Sequence, residues 1–164
     1  MGIRERFSLA EWADLCAAPF AAGMYVATAS GGQLQYTREM TALVRAVRRS
    51  VAHGGPIAEA IGQEFGGRFA NKLGTGEDAI MAHERGEMLA LVQRAGTALE
   101  RAGGEAAPAY RRWVYGLAAH VASAARDGGV LGLGGRTVAA AEQAALAAIS
   151  AALGERDSSR SGTL

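Results

Sequence analysis

The sequence predicts an all-α protein, a single-domain bundle of about five to seven helices. Apolar residues recur at steps of three and four, glycine pairs interrupt the chain at helix-length intervals, and no stretch of strand length alternates apolar with polar residues. A chain of 164 residues is long enough for one domain and short for two. We therefore assign residues 1–153 to the bundle and residues 154–164, which have little to bury, to a disordered tail.

The first predicted helix begins after Ser8, which forms a capping box with Glu11. Pro19 lacks an amide hydrogen and clashes with the carbonyl group four residues earlier, so we expect it to kink or split this helix. Residues 15–29 carry no charge. They fall short of the roughly 20 residues that cross a membrane, so we interpret them as a buried core helix.

Two further helices are predicted in the first half of the chain. One follows Gly31-Gly32 and has an apolar stripe at helical spacing. The stripe consists of Met40, Val44, Val47 and Val51. The next covers residues 57–65, because Pro56 suits the first turn of a helix and Gly66-Gly67 ends it.

The second half predicts three helices, one from near Glu77 to Gly103, one ending at Gly128 and one after a glycine-rich loop at 128–135. Their apolar stripes are, in chain order, Met81, Met88, Val92, Ala95 and Leu99; Tyr110, Trp113, Val114, Leu117, Val121 and Ala124; and Val138, Leu146, Ile149 and Leu153. Each stripe repeats at steps that place it on one helix face.

Composition excludes several classes of partner. Seventeen basic residues against sixteen acidic ones leave a net charge of +1, which is too small to attract nucleic acid. A single cysteine, Cys16, excludes an internal disulfide and a multi-cysteine metal site. The start has no apolar signal segment, so we expect a cytoplasmic protein without a transmembrane segment, and the bias towards alanine, glycine and arginine is typical of a bacterial source.

No residue pattern predicts an enzyme, and no cofactor is expected. Cys16 lies among apolar residues, where burial raises the pKa of a thiol and makes it inert. The histidines form no Glu-x-x-His motif and no zinc pair within one turn, so we interpret His120 as a hydrogen-bonded core residue and His53 as a helix-end residue. The glycine-rich loop lacks the lysine of a phosphate-binding loop and continues with Arg136, so we interpret it as a connector.

A weak internal repeat relates the two halves of the chain. Val26-Ala-Thr-Ala29 is followed by a glycine pair and Glu39, and Val121-Ala-Ser-Ala124 is followed by Asp127-Gly-Gly129 and Glu142. A helix, a V-A-x-A segment, an Asp-Gly turn and a Glu on a second helix, all in duplicate, resemble the TerB-like family of tellurite-resistance domains. Shared alanine-rich composition is the alternative explanation.

The resemblance implies an all-helical domain with internal pseudo-twofold symmetry and an acidic site for a divalent metal. The positions that match the family's acidic residues are Asp127, Glu142 and Glu39, whereas Ser30 stands where the first copy would offer an aspartate. The residues themselves leave an alternative open, in which Asp127 belongs to a turn and Glu142 to the first turn of a helix.

Four arginines, Arg38, Arg45, Arg48 and Arg49, lie on the helix side away from Met40, Val44 and Val47. Such a face is either solvated or a docking surface for an acidic partner. We therefore expect a small accessory protein that acts by binding a protein partner.

Two other functions stay open. One is a metal-binding stress-response protein of the TerB-like type. The other is a ligand-carrying bundle whose pocket is lined by Met24, Met81, Met88 and Trp113. An alanine-rich surface also allows packing against a second copy of the chain.

Overall fold

The computed structural model describes residues 2–30, 36–65, 85–127 and 135–154, and these residues form an all-α bundle without a strand. The described helices are α1 (Leu9–Ala27), α2 (Tyr36–Ser50), α3 (Gly55–Phe65), α4 (Arg85–Ala98), α5 (Ala107–Asp127) and α6 (Gly135–Ala152). Short 3₁₀ turns cover Ile3–Arg6, Thr28–Ser30, Val51–His53 and Gly104–Ala106, and a π-helical turn covers Leu99–Gly103. The predicted fold class is confirmed.

Helix α1 is the centre of the bundle. It packs along α4 and α5 and also contacts α2 and α6. The predicted capping box is present, since the Ser8 amide donates to Glu11 Oε2 at 2.8 Å and the Glu11 amide donates to Ser8 Oγ at 3.2 Å. Leu15, Ala18 and Ala22 are fully buried, which confirms that this uncharged segment is a core helix. Among the residues described, no helix is both long and apolar enough to span a membrane.

Pro19 does not split α1, which is recorded as one helix from Leu9 to Ala27. A proline at position 19 leaves the Leu15 carbonyl without its usual amide donor. The buried Tyr110 hydroxyl of α5 donates a hydrogen bond to that carbonyl instead. The expected split at Pro19 was wrong because a side chain from another helix replaces the missing donor. The alternative expectation, a kink at Pro19, stays a prediction.

The predicted stripes of the later helices form the core. Those of their residues that are buried are Met88, Val92, Ala95 and Leu99 before Gly103; Tyr110, Trp113, Val114 and Leu117 on α5; and Ile149 and Leu153 at the end of the chain's last described helix. Helices α4 and α6 approach closely at Gly96, where a Cβ atom would overlap the carbonyl oxygen of Ala152.

Two exposed ion pairs join α1 to the chain near α4. Arg94 on α4 pairs with Asp14 at 2.9 Å, and Arg101 in the π-helical turn pairs with Glu11 at 2.6 Å. Both are formed between the two oxygens of a carboxylate and two nitrogens of a guanidinium. They fix the register of α1 on this side of the bundle.

Several predictions fall outside the described residues. These are the helix start between Glu77 and Glu84, most of the glycine-rich loop at 128–135, and the tail beyond Gly154. The domain boundary at 153 and the internal repeat stay predictions.

Candidate functional site

Helix α2 is attached to the bundle through its second half. Leu43 and Val47 are buried against the core. The Trp113 indole nitrogen of α5 donates to Ser50 Oγ at 2.8 Å, and Ser50 Oγ donates in turn to the Ala46 carbonyl at 2.8 Å. This chain of hydrogen bonds holds the C-terminal end of α2 beside α5.

A groove of about 700 Å³ runs between α2 and α5, and we call it the basic groove. Its cationic or titratable side chains are Arg45 and Arg49 from α2, His53 from the turn that follows, and Arg112 and His120 from α5. The nearly buried side chains of Trp113 and Leu117 contribute its apolar surface. No aspartate or glutamate is among the described residues that line it.

Helical spacing explains how these side chains converge. Arg45 and Arg49 are four residues apart, and Arg112 and His120 are eight apart with Gly116 halfway between them, so each set follows one side of its helix. Gly116 has no side chain to fill the groove, and a Cβ atom there would meet nothing within 4 Å. The groove stays open along α5 for this reason.

The groove arginines are not neutralised by carboxylates within the part of the chain that is described. The two ion pairs found there use Arg94 and Arg101, which lie on other elements. A guanidinium remains charged at any physiological pH. Cationic groups that line a concave, partly apolar surface create a focused positive potential, which attracts anionic groups. The basic groove therefore has a lining that favours anionic groups over cationic ones.

Three of the arginines predicted to share one side of α2 lie at two different grooves. Arg45, Arg48 and Arg49 are all exposed, as expected. Arg48, however, lies at a separate groove of about 420 Å³ on the other side of α2, lined mainly by α1, α2 and α3, which we call the apolar groove. The side chain of Arg38 lies outside the described residues, although the helical repeat places position 38 on the same side of α2 as positions 45 and 49.

The expected position of His120 was wrong. Its side chain is exposed and lines the basic groove. His120 follows Leu117 by three residues and lies on the edge of α5 that faces α2. Sequence reasoning missed Arg112 and His120 as partners of the α2 arginines. The available signal was their spacing around Gly116, but it does not indicate which helix lies opposite.

The acidic residues expected at a metal site are only partly described. The side chains of Glu39 and Asp127 lie outside the described residues. Glu142 is buried, with 3% of its surface exposed, and lies near the middle of α6 rather than in its first turn. The described residues contain no group of three or more histidine, cysteine, aspartate or glutamate side chains that could hold a metal ion. The metal site stays a prediction.

Two buried groups have pKa values above their ordinary range. Cys16 is buried, as predicted, and desolvation raises the pKa of its thiol from 9.0 to about 12. Desolvation likewise raises the pKa of the Tyr110 hydroxyl well above its ordinary value.

The methionines expected around a ligand pocket are separate from both grooves. Met24 and Met88 are buried core residues that line neither groove, and Met81 lies outside the described residues. Trp113, the remaining residue of that predicted pocket, lines both grooves.

Comparison with known proteins returned no match to a family model, to a curated protein or to a solved structure. The TerB-like resemblance therefore stays a prediction.

Proposed function

We propose that this protein is a cytoplasmic accessory protein that acts by binding, and that its basic groove docks an acidic segment of a partner protein. The observation that carries the proposal is the convergence of Arg45, Arg49 and Arg112, from two helices, on one groove whose described lining contains no acid. Clusters of arginine from separate elements are a common means of recognising acidic motifs.

The apolar part of the groove favours a protein segment over a nucleic acid. Trp113 and Leu117 lie beside the arginines, so the groove suits a segment in which an apolar side chain accompanies carboxylates. Proteins that bind nucleic acid draw most of their affinity from many phosphate contacts with lysine and arginine. The basic groove offers three arginines, and the net charge of the whole chain is only +1.

The test is a titration with a synthetic octapeptide of glutamates that carries one central leucine. An octalysine with the same leucine serves as the charge-reversed control. Binding is followed by ¹H–¹⁵N NMR, because the Gly116 and His120 amides lie at the basic groove and neither residue lines the apolar groove. We expect the acidic peptide to shift these two signals and the basic peptide to leave them unchanged. Affinity should fall steeply as salt is raised.

A pair of variants separates the groove from general charge. Arg45→Glu with Arg49→Glu should weaken peptide binding by at least about tenfold, since two charge-assisted contacts are lost. Arg48→Glu reverses one charge on the same helix at the other groove, half the charge change of the double variant, and should weaken binding by less than about threefold. Equal losses in both variants, shifts confined to another surface, or no binding at low salt would overturn the proposal.

A further inference from the structure

The apolar groove has a different chemistry from the basic groove. We propose that it binds a free fatty acid, with the acyl chain between α1, α2 and α3 and the carboxylate at Arg48. This site does not rest on the proposed acidic docking function, because its α2 residues lie on the opposite side of α2 and only Trp113 is common to the described linings of both grooves.

The lining of the apolar groove comes mainly from α1, α2, α3 and the turn after α2, and Trp113 of α5 also borders it. Its apolar side chains include Phe20 of α1, Val44 and Val47 of α2, Val51 of the following turn and Ile61 of α3. Val44 and Val51 are only half-buried, so they keep apolar surface accessible in the groove. Covering this surface with methylene groups removes it from water, which is the main source of affinity for an acyl chain.

The size of the groove suits a small apolar ligand. The groove has about 420 Å³. Pockets for small ligands have about 300–1,000 Å³, so an acyl chain of moderate length fits a groove of this size.

The charges around the groove favour a carboxylate head group. Arg48 lines it with an exposed guanidinium. Glu59 of α3 is the one acidic side chain of the described lining, and it forms no ion pair with Arg48 in the described part of the molecule. The Arg48 guanidinium can therefore accept a ligand carboxylate, which a guanidinium binds through two parallel hydrogen bonds.

The groove also includes Cys16, whose thiol is buried. The thiol is uncharged at neutral pH because desolvation raises its pKa to about 12. Together with Pro19 and Phe20, it makes the α1 side of the groove apolar and uncharged. An acyl chain can lie against this side without stripping water from a charged group.

The experiment is a titration of the full chain with hexanoate, octanoate and decanoate, followed by the methyl signals of Val44 and Val51. The affinity should rise by up to about fourfold for each methylene that enters the groove. Methyl octanoate, which has no charge, tests the head group. Arg48→Gln should weaken octanoate binding about tenfold and leave methyl octanoate binding unchanged. This difference distinguishes a free carboxylate from an acyl group attached to a protein.

Matched variants make the result decisive. Val44→Phe should fill the groove and abolish binding, whereas Val44→Ala should keep it open. Arg45→Glu with Arg49→Glu, which tests the basic groove, should still leave the Val44 and Val51 methyl shifts in place. Affinity that is independent of chain length, octanoate binding that is unaffected by Arg48→Gln, or shifts at the basic groove alone would overturn the proposal without affecting the acidic docking function.

Discussion

At the scale of single residues, Pro19 and Tyr110 form a compensating pair. Pro19 removes the amide that would donate to the Leu15 carbonyl within α1, and the Tyr110 hydroxyl of α5 donates to that carbonyl. Tyr110 is fully buried, so its hydrogen bond to the Leu15 carbonyl lies in the core, away from water. A proline that weakens one helix therefore creates an attachment point for another.

We expect Tyr110→Phe to lower the free energy of unfolding by about 1–3 kcal/mol, because it leaves a buried acceptor without a donor. In a Pro19→Ala background the same change should cost less than about 1 kcal/mol, since the alanine backbone supplies the missing amide. Urea denaturation of the four proteins in this double-mutant cycle measures the coupling.

Tyr115→Phe is the matched control, because Tyr115 lies on the same helix and is only half-buried. Its effect should stay within about 0.5 kcal/mol. If Tyr110→Phe costs the same in both backgrounds, the hydroxyl does not replace the proline's missing donor.

At the scale of elements, glycine decides how closely two helices pack. Gly96 allows α4 to approach the end of α6, since a Cβ atom at position 96 would overlap the Ala152 carbonyl oxygen. Gly116 on α5 has the opposite surroundings, with nothing within 4 Å of a Cβ atom. Both are helical glycines, but only Gly96 is required by a neighbouring backbone.

Two glycine-to-alanine substitutions should therefore change stability in opposite directions. Gly116→Ala should raise the free energy of unfolding by about 0.5–1 kcal/mol, because alanine has the higher helix propensity. Gly96→Ala should lower it by about 1–3 kcal/mol, because two backbones must move apart. Thermal unfolding of both variants measures the difference, and a gain in both would show that α4 and α6 do not pack in this way.

At the scale of the whole molecule, the ion pair of Glu11 with Arg101 links the start of α1 to the turn after α4. The Arg101 guanidinium and the Ser8 amide hold the pKa of the Glu11 carboxyl near 2, below its ordinary value of 4.5. Because the folded protein lowers this pKa, Glu11 stabilises the fold fully above pH 4.5. Its contribution is lost as the pH falls through this range towards 2.

Glu11→Gln isolates this charge, because glutamine preserves the capping box with Ser8. The variant should be less stable than the parent at neutral pH, and the difference should disappear between pH 4.5 and 2. Urea midpoints across this range measure the effect, with Glu87→Gln as a control at an exposed glutamate. A difference that does not change with pH would show that the Glu11 charge contributes nothing.

Much of the secondary structure could be predicted because its signals are local. The Ser8 capping box, the buried stripe of α5 and the short helix after Pro56 all depend on residues a few positions apart. The continuity of α1 through Pro19 and the exposure of the His120 side chain could not be predicted in this way. Each depends on a residue brought close by another helix, and a single helical stripe does not identify its neighbour.

The candidate site was predicted only in part for the same reason. The sequence by itself determined that this is an all-α protein and that α2 carries several exposed arginines. Only the tertiary structure decided that Arg45 and Arg49 share a groove with Arg112 and His120, and that Arg48 belongs to another groove. Helical periodicity sets the side of the helix on which a residue lies. Long-range packing determines which helix lies opposite. The two grooves differ in chemistry because different helices face the two sides of α2.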